Sequence, residues 1–268
     1  AGRAGRTAPG IAVRLWHPGQ TAALPAFAEP QILASDLSGL MLDCAAWGVG
    51  DPRDLKFIDP LPEAAVTEAR KLLVSLGALD GAGHITERGQ VMRALPLPPR
   101  LAAMVAEARE GGDGFTAAAI AVLLTEQGLG GRSTDLDDRL TRFLRDSSPR
   151  ARAARSLAAR MVGGKERAAA QGDTRGDRAG AHLAIAFPDR IARQRGGRGR
   201  FVMANGRGCE IDETERLAGA DYIVVADLTG RAARSRVMAA AELAGADLEA
   251  ILSRAQESEE YRFDAESG

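Results

Sequence analysis

The chain has 268 residues, of which 45% are hydrophobic, 4% are aromatic and 26% are charged. This length allows one large domain or two to three smaller ones, and the low aromatic content favours a mainly helical chain over a β-sandwich. The formal net charge of −1 gives no reason, for the chain as a whole, to expect nucleic acid or a membrane as a partner.

The first hundred residues predict a small strand followed by a helical unit. Residues 11–16, IAVRLW, alternate apolar and small or polar side chains and predict a short strand. Residues 30–48 carry apolar side chains at spacings of three and four, which predicts one amphipathic helix of about four turns that ends at Gly48. Residues 63–77 predict a second helix that ends at Gly77.

A small hairpin and a third helix follow. The segment ALDGAGHIT predicts two short strands around Gly81 and Gly83, and Thr86 is placed to cap a short helix that Pro96 ends. The order helix, helix, hairpin, helix is typical of a winged-helix unit.

Four more helices are predicted after this unit. Three of them cover residues 99–112, 115–128 and 135–146, and a fourth, arginine-rich helix starts at residue 148. The faces of these helices are rich in Ala and Leu, which predicts that they pack as a compact bundle.

The pattern changes after residue 182. Residues 182–197 predict a turn of helix ended by basic residues, and residues 200–211, 221–230 and 235–243 predict strands joined by glycine-containing turns. Short strands with tight turns predict a small β-barrel of the OB type. A final acidic helix is predicted from residue 247.

Charge, cysteine usage and hydropathy add further expectations. Residues 149–208 contain 14 Lys and Arg against 4 Asp and Glu, whereas residues 209–268 contain 6 against 14, so a basic block precedes an acidic one. Cys44 and Cys209 have no Cys or His at metal-ligand spacing. No run of about 18 apolar residues is present. We therefore expect a cytoplasmic protein without a metal site and without a membrane partner.

The opening segment AGRAGRTAPG supports two hypotheses on composition alone. Glycine–arginine repeats are common in flexible basic tails. Alternatively, Arg3 and Arg6 are three residues apart and converge on one phosphate, with Gly2 and Gly5 allowing close approach of the backbone.

The same segment, followed by a strand that ends in RLW, resembles motif VI (Q-R-x-G-R-x-G-R) of DExH-box helicases of the DEAH/RHA group. Only the last six motif positions are present, so we expect the chain to begin inside the motif.

Two longer segments also resemble these helicases. The run from DPLPEAAV to LPLPPRLAAMV (residues 59–105) resembles the winged-helix segment that follows the helicase motor. AIAFPDRIARQR, GRFVMANGRG and ADYIVVADLTGR are similar to the OB-like region of the bacterial HrpB type, which favours HrpB over HrpA.

This resemblance implies a mainly α fold with a small β part. The implied domains are the end of a second RecA-like domain (1–28), a winged helix (29–99), a helical ratchet bundle (100–172), an OB-like barrel (173–250) and the start of a C-terminal extension (251–268).

The resemblance also implies an ATP-dependent RNA helicase that couples ATP hydrolysis to the unwinding or remodelling of nucleic acid. Arg3 and Arg6 match the motif arginines that act as catalytic arginine fingers on the γ-phosphate, and with Gly2 and Gly5 they would contact the nucleotide. ATP and Mg²⁺ would be bound mostly by residues absent from this chain, since it contains neither a Walker A motif nor D-E-x-H. We expect the isolated chain not to hydrolyse ATP.

Six arginines are candidate contacts to single-stranded RNA, interleaved with Phe187, Phe201 and Asn205 as candidate base contacts. They are Arg190, Arg193, Arg195, Arg198, Arg200 and Arg207. A solvated surface, or pairing with the acidic block, is the alternative. For the whole chain, the alternatives are a non-enzymatic winged-helix protein with an OB module, and a structural helical scaffold.

Overall fold

The computed structural model describes residues 4–24, 30–163, 179–231 and 234–253. Within these ranges the helices are α1 (Pro18–Ala22), α2 (Gln31–Ala34), α3 (Ser38–Ala46), α4 (Glu63–Ser75), α5 (Glu87–Arg93), α6 (Pro99–Glu110), α7 (Gly114–Thr125), α8 (Leu136–Arg145), α9 (Pro149–Met161), α10 (Ala179–Ala186) and α11 (Gly245–Leu252). The strands are β1 (Ile191–Gln194), β2 (Arg200–Met203), β3 (Gly208–Glu210), β4 (Tyr222–Arg231) and β5 (Arg234–Glu242). Among the described residues, the longest apolar helix falls short of what a membrane crossing requires.

The strand predicted at residues 11–16 is wrong. This segment forms no regular element, and Ile11 and Leu15 are more than 90% exposed. A strand needs a neighbour to satisfy its backbone groups, and no strand in the described ranges pairs with this segment.

The single helix predicted over residues 30–48 is also wrong, because two helices replace it. Ser35 has an extended backbone (φ −88°, ψ 152°) and ends α2. The Asp36 carboxylate then accepts a hydrogen bond from the backbone N–H of Ser38 over 2.8 Å and starts α3. Gly48 follows α3 with φ +83°, as expected of a helix-ending glycine.

The remaining winged-helix elements lie where the sequence predicts them. Gly77 follows α4 with φ +70°. The predicted hairpin is reduced to one antiparallel bridge between Leu79 and Ile85. Thr86 accepts a hydrogen bond from the N–H of Gly89 over 2.9 Å and so caps α5, as predicted.

Helices α6 to α9 form the predicted bundle. Helix α7 is its centre, since every residue from Ala117 to Leu123 is buried. Phe143 of α8 is fully buried in the same core. Helix α9 ends at Met161, and the predicted continuation to residue 170 lies outside the described residues.

The strands form a closed barrel in the order β1-β2-β3-β5-β4, which confirms the predicted β-barrel. All neighbouring pairs are antiparallel except β3 and β5. The helix end predicted at residues 191–194 is wrong, because these residues form β1 between β2 and β4. The barrel interior is filled by a separate core that includes Ala192, Phe201, Met203, Cys209, Ile223 and Val237.

One side of the barrel is covered by helices. Val224 and Ala226 of β4 pack into the helical core together with Leu183 of α10. Gly180 makes this packing possible, since a Cβ there would lie 2.0 Å from the backbone oxygen of Glu242. The outer surface of β1, β2 and β3 lies on the other side.

Candidate nucleic-acid interface

Strand alternation places arginines on the outer surface of the barrel. In β1, Ala192 is buried and Arg193 is exposed; in β2, Arg200 is exposed and Phe201 is buried. The backbone N–H of Arg195, the residue after β1, donates to the carbonyl of Arg200 at the start of β2 over 3.0 Å, so these two arginines lie opposite each other. Like charges in directly opposite positions repel, and an anion bound between them would relieve the repulsion.

A fourth arginine joins this surface from the acidic block. Arg236 of β5 is exposed and lies opposite Glu210, which in turn lies opposite Arg200 of β2. Sequence reasoning missed Arg236 because it lies in the block of residues 209–268, which is acidic as a whole. The parallel β3–β5 pairing is the signal that would have found it. We call Arg193, Arg195, Arg200 and Arg236 the arginine face. Among the described residues, no carboxylate lies within ion-pair distance of these four side chains.

Arg190 is separated from the other predicted contacts. It is half-buried between the barrel and the helical layer, where Nη1 donates to the carbonyl of Ala226 over 3.1 Å. Its guanidinium lies 5.0 Å from the ring centroid of Phe187, and that of Arg100 lies 5.4 Å from the same ring. Burial, and then repulsion by Arg100, lower the pKa of Arg190. Its contacts are those of a packing residue.

The last two predicted arginines are exposed but lie in turns. Arg198 Nε donates to the carbonyl of Glu213 over 2.9 Å, which ties the β1–β2 turn to the segment after β3. Arg207 lies in the β2–β3 turn, where its N–H donates to Asn205 Oδ1 over 3.1 Å. The structure therefore brings together Arg193, Arg195 and Arg200. It places Arg198 in the β1–β2 turn and Arg207 in the β2–β3 turn, and it places Arg190 apart from them, between the barrel and the helical layer.

The predicted aromatic base contacts are wrong. Phe201 is 2% exposed inside the barrel core, and Phe187 is 7% exposed in the helical core. Both rings are needed to fill those cores, so neither presents a face to a ligand.

Only some of the arginine side chains of helix α9 are without hydrogen bonds to other described residues. Arg155 Nη1 donates to the carbonyls of Phe143 and Asp146, and Arg150 donates to the carbonyl of Gln127. Arg152 and Arg160 are exposed, without an ion pair to another described residue.

The winged helix presents few free cations. Arg88 of α5 pairs with Glu107, and Arg93 Nε lies 2.8 Å from Asp43 Oδ1. Both basic residues of α5 are therefore used in contacts within the protein.

The opening motif is described only in part. Arg6 is exposed, and Gly5 has φ +81°, whereas Gly2 and Arg3 lie outside the described residues. Gly10 approaches Gly5 closely, because a Cβ at Gly10 would lie 2.5 Å from the Gly5 nitrogen. The loop from residue 4 to residue 10 is thus a tight turn that needs glycine at both positions.

The chemistry of the remaining described residues is limited. No group of three or more His, Cys, Asp or Glu side chains in the described ranges is arranged to hold a metal ion. Burial raises the pKa of the Cys209 thiol to about 11, so this thiol stays protonated at neutral pH.

Comparison with known proteins identifies relatives. The chain is 37% identical over 229 residues to the ATP-dependent RNA helicase HrpB of Escherichia coli (strain K12), which is 84% of this chain and 26% of that protein. It is 34% identical over 116 residues to the ATP-dependent RNA helicase HrpA of the same organism, which is 41% of this chain and 9% of that protein. The chain therefore spans about a quarter of HrpB and less of HrpA.

A comparison with solved structures also finds HrpB. The crystal structure of the E. coli DExH-box NTPase HrpB superposes with a TM-score of 0.72 and 32% identity, over 100% of this chain and 32% of that chain. The family described as "Helicase associated domain (HA2), winged-helix" matches residues 69–97, which include most of α4 and all of α5. On these grounds the chain belongs to the HrpB type of the DEAH/RHA helicases and corresponds to a C-terminal portion of such a protein.

Proposed function

We propose that this chain is the part of an ATP-dependent RNA helicase that holds RNA while the motor domains hydrolyse ATP. In this proposal residues 1–28 close the second RecA-like domain, residues 29–99 and 100–172 are the winged helix and ratchet bundle, residues 173–250 are the OB-like barrel, and residues 251–268 begin a C-terminal extension. HrpB and HrpA are both named ATP-dependent RNA helicases, and these names support the proposed reaction and RNA as the proposed partner.

The arginine face is the observation that carries the proposed RNA contact. It presents four exposed guanidinium groups, two of them opposite each other across β1 and β2. Glu210 lies between Arg200 and Arg236 and offsets part of this charge, whereas Arg195 and Arg200 face each other directly. A phosphodiester backbone supplies one negative charge per nucleotide and would relieve the repulsion between these two arginines. Guanidinium groups also bind phosphate oxygens in pairs, which gives arginine an advantage over lysine here.

The barrel topology supports an OB-type assignment. Five strands close in the order β1-β2-β3-β5-β4, with a single parallel pair between β3 and β5. OB barrels bind oligonucleotides on the surface of their second and third strands and the adjoining turns. Arg200 of β2 and the turn residues Arg195 and Arg198 lie there, so the charged surface overlaps the surface that such barrels use.

The opening arginines supply the proposed link to ATP. Arg3 and Arg6 would stabilise charge on the γ-phosphate during transfer, with Gly2 and Gly5 beside the nucleotide. Mg²⁺ and most of the ATP would be held by the Walker A and D-E-x-H motifs of the motor, which the 268 residues do not contain. In a helicase that contains this segment, Arg6→Lys would lower kcat by about a thousandfold or more while RNA binding persists.

A winged-helix regulator without a motor is the second candidate, and the α5 contacts weigh against it. A recognition helix reads DNA through free side chains and phosphate-binding cations. Here Arg88 and Arg93 are bound to Glu107 and Asp43.

The test is a pair of measurements on the 268-residue chain. We expect it to bind single-stranded RNA with a slope of log K against log[salt] of about −3, for four phosphate contacts at about 0.7 each. We also expect no ATP turnover with RNA present. A flat salt response would contradict the RNA contact, and RNA-stimulated ATP hydrolysis by this chain would contradict the assignment of the catalytic site.

A further inference from the structure

We propose that Tyr222 is the residue on which the barrel stacks a nucleic-acid base, and that it makes binding depend on bases as well as on phosphates. This inference rests on the proposed RNA contact of the arginine face and assigns a specific role within it. Electrostatic contacts alone track a backbone, whereas single-strand binding surfaces combine cations with an aromatic platform.

The strand register places Tyr222 beside the arginine face. Tyr222 of β4 lies directly opposite Arg193 of β1, and Arg193 lies opposite Val202 of β2. Directly opposite residues of antiparallel strands have Cβ atoms about 5 Å apart and project to the same side of the sheet. Since Arg193 is exposed on the outer surface, the ring of Tyr222 emerges next to it.

The packing of Tyr222 suits a platform. The side chain is half-buried and contacts the helical core, while its strand neighbours Ile223 and Val224 are fully buried. Its backbone carbonyl accepts a hydrogen bond from the N–H of Leu243 over 3.0 Å. Tyr222 therefore stands where the helical layer ends and the free surface of the barrel begins. A ring fixed on one side loses little conformational freedom when a base stacks on the other.

Other aromatic residues are excluded from this role by position. Phe187 and Phe201 are buried in the two cores. Among the described residues Tyr222 is the aromatic side chain that the sheet register places next to an arginine of the arginine face.

The experiment compares two labelled strands of about 12 nucleotides, a length within the range that one barrel covers. One is oligouridylate RNA; the other is an RNA strand with the same phosphates but abasic sugars. Tyr222→Leu keeps an apolar side chain and removes the ring, and we expect it to weaken oligouridylate binding about tenfold while leaving abasic binding unchanged. Tyr222→Phe and Tyr222→Trp keep a ring, and we expect both to bind both strands like the unmodified chain.

Equal weakening of both strands by Tyr222→Leu would overturn the proposal, because the residue would then only support the barrel. Unchanged binding of both strands would overturn it as well, while leaving the phosphate contacts of the arginine face intact. If the unmodified chain bound neither strand, the stacking role and the proposed RNA contact would fail together. Loss of binding by Tyr222→Phe would also contradict stacking, since this variant retains the ring.

Discussion

Arg216 Nε lies 2.7 Å from Asp135 Oδ2, which joins the barrel to the first turn of α8. Asp135 is 5% exposed, and its other oxygen accepts the N–H of Asp137 over 3.0 Å. Arg216 Nη1 also reaches Glu242 Oε2 at 2.6 Å, and these carboxylates raise the pKa of Arg216. One guanidinium thus holds the bundle, the barrel end and the segment before β4 together.

Removing this cation leaves a buried carboxylate without its partner. We expect Arg216→Met to lower the free energy of unfolding by about 1–3 kcal/mol, since an unsatisfied buried charge costs more than the pair contributes. Urea denaturation measures the change. The matched control is Arg142→Met, which breaks an exposed pair with Asp138 on one helix and should cost less than about 0.5 kcal/mol. Equal losses in the two variants would contradict the role of Arg216.

The contact between α10 and β5 depends on the missing side chain of Gly180. A Cβ at this position would lie 2.0 Å from the Glu242 oxygen and 2.9 Å from its carbon, so Gly180→Ala must push the helix off the barrel. We expect a loss of about 1–3 kcal/mol, measured by thermal unfolding. Gly39→Ala in α3 is the control, since no atom lies within 4 Å of its added Cβ. That substitution should stabilise the protein by about 0.5–1 kcal/mol. A stabilising Gly180→Ala would show that α10 does not dock in this way.

Asp51 gives the fold a specific acid sensitivity. Hydrogen bonds from the Arg53 side chain and backbone lower the pKa of Asp51 from 3.8 to about 2. A carboxylate with a lowered pKa contributes stability above its unfolded pKa and loses that contribution as the pH falls toward its folded pKa. The unfolding free energy of the unmodified chain should therefore fall more steeply between about pH 4 and pH 2 than that of Asp51→Asn. Parallel pH profiles of the two proteins, measured by urea unfolding, would contradict this.

Local signals in the sequence predicted most helices and the barrel. Gly77 and Thr86 act through neighbouring backbone groups, so their effect is visible in a short window. Long-range pairing is different. The sequence of residues 191–194 predicts the basic end of a helix, since the local pattern carries no sign of the pairing with β2 and β4 that makes these residues a strand.

The candidate site was predictable only as a charged region. The sequence marks the arginines, but burial decides which of them are free, and Arg190 is half-buried between layers. Arg236 and Tyr222 join the surface through strand pairs with residues far away in the chain. The helix break at Ser35 coincides with two local side-chain hydrogen bonds, from Ser35 Oγ to the Gln31 carbonyl and from the Ser38 N–H to Asp36. Such bonds compete with the helix that the periodicity of the apolar residues predicts.

A binding measurement with two double variants shows whether the arginine face binds the RNA backbone. Labelled single-stranded RNA is titrated with the unmodified chain, with Arg193→Ala/Arg200→Ala, and with Arg152→Ala/Arg160→Ala, which removes the same charge from the exposed side of α9. We predict that the first double variant weakens binding about tenfold or more and makes the salt slope shallower by about 1.4, since two phosphate contacts are lost. The second double variant should bind nearly as the unmodified chain does. Equal effects of the two double variants, or an unchanged salt slope for Arg193→Ala/Arg200→Ala, would contradict the claim.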